Sequence, residues 1–175
     1  MSTLRTSAIR ALAWFPVIMF VADHGFSYGT IDGRSMQPTF NPDTNMLWRD
    51  RVLLNKWAVT DHKFERGEVV TLTSPTNPKC TITKRIIALE GDTVIPLRNR
   101  DNPVYVPKGH CWVEGDEAFH SRDSNSFGTV PMGLITAKVT YILWPFSRFG
   151  PVEKRPVSDR VTIGSVRLGR DDEYL

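Results

Sequence analysis

Thr81-Ile82-Thr83-Lys84-Arg85-Ile86-Ile87-Ala88-Leu89 is a stretch rich in β-branched residues, free of Gly and Pro, and closed by the turn signal Gly91-Asp92. Read as a strand, it alternates, placing Ile82, Lys84 and Ile86 on one face and Thr83, Arg85 and Ile87 on the other. A lysine between two isoleucines has two explanations. It can snorkel from an edge strand, keeping its ammonium in water. It can also sit among apolar side chains that penalise its charge, which is how a lysine becomes a general base. The second role is demanding, because a lysine of ordinary pKa near 10.4 is neutral only about once in 2,500 molecules at pH 7.

Outward from this stretch the same texture recurs. Short β-rich runs lie at Val52 to Leu54, Glu68 to Thr73, Val104 to Val106, Cys111 to Glu114 and Ala137 to Trp144, separated by Asn-Pro, Gly-Asp and Trp-Pro turn signals. No repeat and no long amphipathic helix interrupts them, so the expected fold is mainly β, a compact β domain over 28–150. The segment 151–175 carries five basic and five acidic residues with few large apolar ones after Val161, and is expected to be a surface extension or frayed tail. At 175 residues the chain suits a single core.

The remaining 1–27 form a basic flank and an apolar run. Arg5 and Arg10 precede twelve consecutive apolar residues, Ala11 to Ala22, which Asp23 and His24 end. As a helix this run spans about 18 Å, short of the roughly 30 Å hydrocarbon core. A buried core helix would show a polar face, and a removable leader would end in a small-x-small site; this run has neither. The third reading is a short anchor completed by its flanks, with the basic residues on the inside of the membrane. The same two arginines account for most of the net charge of +3, since the rest of the chain holds 20 basic and 19 acidic residues. That balance removes the main support for a nucleic-acid partner.

Two further places hold residues suited to chemistry. Gly33-Arg34-Ser35-Met36-Gln37-Pro38-Thr39 puts a serine in a Gly/Pro turn, a common structural use unless a base lies nearby. Gly115-Asp116 through Ser121, Asp123, Ser124 and Gly128 is a dense polar loop, either a hydrogen-bonded turn network or a support for a site. A neutral lysine can take the serine proton as the hydroxyl attacks a carbonyl, a known variant of nucleophile plus base. Cys80 and Cys111 lack the spacing of a zinc site, no metal or other cofactor is expected, and both a disulfide and two free thiols fit.

Taken together, these places resemble the type I signal peptidase family of membrane-bound Ser-Lys proteases. Gly33 to Thr39 is similar to its nucleophile box and Asp50 to Lys56 to the following strand. Lys84-Arg85 with Glu90-Gly91-Asp92 is similar to the base box, and Gly115-Asp116 through Ser121, Asp123 and Ser124 to the last box. Ser74 to Pro78, Gly109 to Asp116, His120 to Gly128, Leu143-Trp144-Pro145 and Arg148 resemble the branch of the mitochondrial inner membrane. The endoplasmic-reticulum relatives carry histidine where Lys84 stands. The similarity runs from the leader to about Gly150.

The resemblance implies a membrane-anchored serine endopeptidase with Ser35 as nucleophile and Lys84 as general base. Ser121 would orient the lysine, Asp116 would pair with Arg85, Asp123 would brace the loop, and the Ser35 backbone N–H would donate to the oxyanion. It implies an inner-membrane protein with its catalytic domain facing the intermembrane space. Its partners would be precursors with cleavable sorting signals, small at the first and third positions before the cut, and a homologous catalytic subunit. Two positions depart from the pattern. Gly33 stands where bacterial members with a serine use its hydroxyl in the oxyanion hole, leaving the second donor open. The bacterial Asp-Ser-Arg is Asp123-Ser124-Asn125 here. Two alternatives remain: a Ser-His-Asp hydrolase using His110 or His120 with Asp116 or Asp123, and a non-catalytic anchored subunit that stabilises a partner peptidase.

Overall fold

A computed structural model describes residues 12–16, 19–20, 24–42, 48–60 and 63–164. The expected anchor within 1–27 lies largely outside them, its described part being helical at 12–16 and 19–20. Among the described residues no helix is long and apolar enough to cross a membrane.

The body is antiparallel β structure. The first strands are β1 (Phe26–Thr30), β2 (Arg51–Asn55), β3 (Val69–Thr73), β4 (Thr81–Leu89), β5 (Thr93–Val94) and β6 (Val104–Tyr105). They are followed by β7 (His110–Glu114), β8 (Val130–Pro131), β9 (Ile135–Trp144), β10 (Gly150–Pro151) and β11 (Val161–Thr162). The larger sheet runs β1-β2-β9-β3-β4-β7-β8, with β10 added to β9, and the smaller runs β11-β5-β6. The long strand β9 organises the larger sheet: Ile135 to Lys138 pair with β3, and Lys138 to Trp144 pair with β2.

Burial on both sheet faces explains the continuous apolar runs. Val70 and Leu72 of β3 pack with Phe64, Ile86, Cys111, Val113, Val130 and Ile135, while Val69 turns the other way to meet Ile31, Met36, Phe40, Val52 and Val139. The strand β4 occupies the span read from the sequence. A register shift between Ile86 and Ala88, opposite Val113 and Trp112, interrupts its alternation at Ile87. Ile86 accordingly packs in the first cluster, whereas Ala88 packs with Val94, Val106, Trp112 and Val161. Cys80 is exposed, Cys111 is buried, and both are free thiols.

The described part of the 151–175 extension is not a frayed tail. It crosses the body as a strap: Val152 N–H donates to the Thr140 carbonyl, Arg155 N–H to Gly67 and Ile95 N–H to Arg160, and β11 then pairs with β5. Its polar composition reads as solvated because the surface it covers is itself polar and charged.

Candidate active site

Ser35 sits in the turn that follows β1, half-buried, between the exposed Arg34 and the buried Met36. Met36 and Phe40 are the anchors of this turn, 1% and 0% exposed in the cluster around Val52. A polar clasp holds its far end. Asn41 and Asp50 exchange two hydrogen bonds, each backbone N–H donating to the other's side chain at 2.8 Å, and Asn41 Nδ2 donates to the Ile31 carbonyl at 2.8 Å. Arg148, arriving after β9, pairs with Asp50 and donates to the Thr39 carbonyl at 2.6 Å. In the sequence Asn41, Asp50 and Arg148 are ordinary polar residues, and only the fold brings them together behind Ser35.

Lys84 is only 3% exposed and stands opposite Val70, itself fully buried, in the β3–β4 register. Burial pushes its pKa down, and the charges of Asp123 and Asp116 push partly back. Desolvation prevails, so the snorkelling explanation does not hold. Ser35 and Lys84 line one cleft of about 330 Å³ together with Thr30, Ile31, Asp32, Val52, Leu54 and Thr71.

Arg85, the next residue of β4, points away and is 1% exposed. Its guanidinium holds Asp116 with two bonds of 2.8 and 2.7 Å and donates to the carbonyls of Gly67 and Glu153. Burial alone would raise the Asp116 pKa, but hydrogen bonds from Arg85 and Thr39 and the charges of Arg85 and Arg155 outweigh it and hold the carboxyl below its ordinary range.

The polar loop after β7 closes onto the serine. Glu117 N–H donates to the Ser35 carbonyl at 3.1 Å. Gly115 passes so close that a Cβ there would strike that carbonyl and lie 2.7 Å from Ser121 Cβ. Ser121 is 5% exposed and its hydroxyl has no hydrogen-bond partner among the described residues, so the expected contact with Lys84 is not formed. Asp123 accepts from Gly115 N–H at 3.0 Å and from the backbone and side-chain nitrogens of Asn125, both at 3.1 Å. Asn125 thus contacts the aspartate that the bacterial pattern pairs with arginine, and its amide also donates to Glu114.

The histidines do not assemble a triad among the described residues. His110 contacts the Lys108 carbonyl, His120 lies exposed 3.9 Å from Glu117, and neither lines the cleft. The described residues also hold no group of His, Cys, Asp and Glu suited to a metal ion.

The cleft thus brings together a half-buried serine and a desolvated lysine, with the loop after β7 tied to the serine's backbone. The chain belongs to the family described as signal peptidase, peptidase S26, which matches residues 3–97 and 95–144. It is similar to mitochondrial inner membrane protease subunit 2 of Schizosaccharomyces pombe, 56% identical over 142 residues, covering 80% of this chain and 77% of that protein. It is also 35% identical over 131 residues to mitochondrial inner membrane protease subunit 1 of Mus musculus, covering 73% and 75%. A solved signal peptidase I from Enterococcus faecalis shares 23% identity and a TM-score of 0.38, over 45% of this chain and 97% of that one. The curated relatives support a protease role and a mitochondrial inner membrane location.

Proposed function

We propose that this protein is a serine endopeptidase with a Ser35-Lys84 dyad that removes sorting sequences from precursors delivered to the intermembrane space. It would work from the inner membrane on an N-terminal anchor, beside a homologous catalytic subunit. The observation that carries the reading is the desolvated Lys84 in the cleft of Ser35. The neutral Nζ takes the proton from Ser35 Oγ as the oxygen attacks the scissile carbonyl. The tetrahedral oxyanion draws on the Ser35 backbone N–H, and collapse expels the new amine, which takes the proton from Lys84. Water that then loses a proton to Lys84 hydrolyses the ester, and the proton returns to Ser35 Oγ. The unpartnered Ser121 hydroxyl is the group assigned to steer the amine, a contact that substrate would tighten.

The edge strand β1 ends at this cleft, where an extended precursor segment would add as a strand and send alternate side chains into pockets. The test is N-terminal sequencing of intermembrane-space proteins from cells carrying Ser35→Ala or Lys84→Ala. Unprocessed precursors are expected in both. Unchanged processing with Ser35→Ala would move the protein to a stabilising role, and unchanged processing with Lys84→Ala would sink the dyad.

A further inference from the structure

Two arginines of the C-terminal strap, which follows the residues 3–97 and 95–144 matched to the family, reach the carboxylates of Glu114 at the end of β7 and Asp116 in the loop after it. Arg155 Nη1 stands 3.1 Å from Asp116 Oδ1, on the carboxylate already held by Arg85, and its Nη2 donates to Thr39 Oγ1 at 3.3 Å. Arg160 pairs with Glu114 at 2.7 Å and donates to the Ile95 carbonyl. Glu114 accepts from Asn125, and Asn125 holds Asp123. The two carboxylates whose charges act on Lys84 are therefore each tied to the strap, Asp116 directly and Asp123 through Asn125 and Glu114.

We infer that Arg155 and Arg160 are positioning residues of the peptidase site, and that the strap completes that site by fixing the charge and the position of Asp116 and Asp123 around Lys84. The inference rests on the Ser-Lys reading. The fold prepares a seat for the strap: the Gly67 carbonyl takes both Arg155 N–H and Arg85 Nη1, and a Cβ on Gly67 would collide with the Arg155 carbonyl. Arg155 is 44% exposed and Arg160 24%, so neither side chain is needed to fill a core.

The electrostatic consequence has a definite sign. The loops after β7 present Asp116 and Asp123 to Lys84, and Asp116 also carries Arg85. On the serine side the charged residue of the cleft is Asp32, exposed and paired with Arg49, while β3 contributes the uncharged Val70 and Thr71. Neutralising Arg155 leaves Asp116 less compensated and removes a nearby cation. Both effects favour protonated Lys84, so the acidic limb of the rate profile moves to higher pH.

The experiment compares full-length R155Q, R155K, R160Q and S35A in their native complex, with the homologous subunit catalytically inactivated, on a precursor peptide, with kcat, KM, pH profile and Tm recorded. R155Q and R160Q are expected to lower kcat roughly tenfold with KM little changed. R155Q should also shift the acidic limb upward, and R155K should restore both rate and limb. Wild-type kcat and pH profile in R155Q would overturn the inference, as would a loss that follows Tm with no shift of the limb and no rescue. Should R155Q fail to fold, the kcat of R160Q decides. S35A that still cleaves would overturn the Ser-Lys reading itself, whereas inactive S35A beside unaltered strap variants would overturn the strap alone.

Discussion

Lys84 is held where its charge is disfavoured, and that placement costs stability whenever the lysine is protonated. The unfolded chain gains a proton as pH falls through the ordinary lysine range, while the native state gains it only at lower pH, so stability declines across that interval and the penalty is complete below it. Lys84→Met is therefore expected to melt above wild type at pH 7 while losing cleavage roughly 1,000-fold or more. Calorimetry beside a peptide assay checks both halves, and a variant that melts lower would show that the ammonium is well paired in the native state. Gly115 makes the opposite kind of demand. Gly115→Ala forces a methyl between the Ser35 carbonyl and Ser121, so it should cut kcat roughly a hundredfold by displacing the serine. Wild-type kcat in that variant would show that the loop can retreat from Ser35 without consequence.

Between elements, the Arg85-Asp116 pair joins β4 to the loop after β7 and is buried at both ends, 1% and 3%. Asp116→Asn leaves the buried guanidinium without its counter-ion and is expected to cost about 3–5 kcal/mol, measurable by urea unfolding at pH 7. The pH dependence follows from the depressed carboxyl. Its contribution is present above the ordinary aspartate range near 3.9 and is lost as pH falls through the lower folded value, so the acid arm of the stability curve should flatten in D116N. An unchanged acid arm would assign acid unfolding to other carboxylates. This pair was legible as a resemblance between boxes, and β4 was legible outright because nine residues without a breaker leave little freedom. The strand β1 was not. Its sequence, Phe-Ser-Tyr-Gly-Thr, has Gly29 inside it and lies directly after the leader, and only its pairing with β2 makes it a strand. Of the five two-residue strands β5, β6, β8, β10 and β11, only β6 falls in a run legible in the sequence, Val104 to Val106, since two residues cannot show an alternation.

Across the whole molecule, the Ser35 turn, the Lys84 strand and the polar loop could be found in the sequence because each keeps its polar groups within a few consecutive residues. The strap could not, because its charges have meaning only against partners far along the chain: Arg155 with Asp116, Arg160 with Glu114, Lys154 with Glu65, and Gly164 N–H with Asp92. Its seat at Gly67 offers a way to loosen it without touching any of those charges. Gly67 has φ +85°, and an added Cβ would meet the Arg155 carbonyl, so Gly67→Ala combines a disfavoured backbone with a clash and should destabilise by more than about 1 kcal/mol. In a chain of this length that lowers Tm by roughly 2–4 °C per kcal/mol. The distribution of the damage is the sharper expectation. Hydrogen exchange should quicken over 152–164 and in the loop around Asp116, which the strap covers, and stay unchanged over the edge strand β1. Uniform quickening across all strands would mean that the strap is part of one cooperative unit with the sheet.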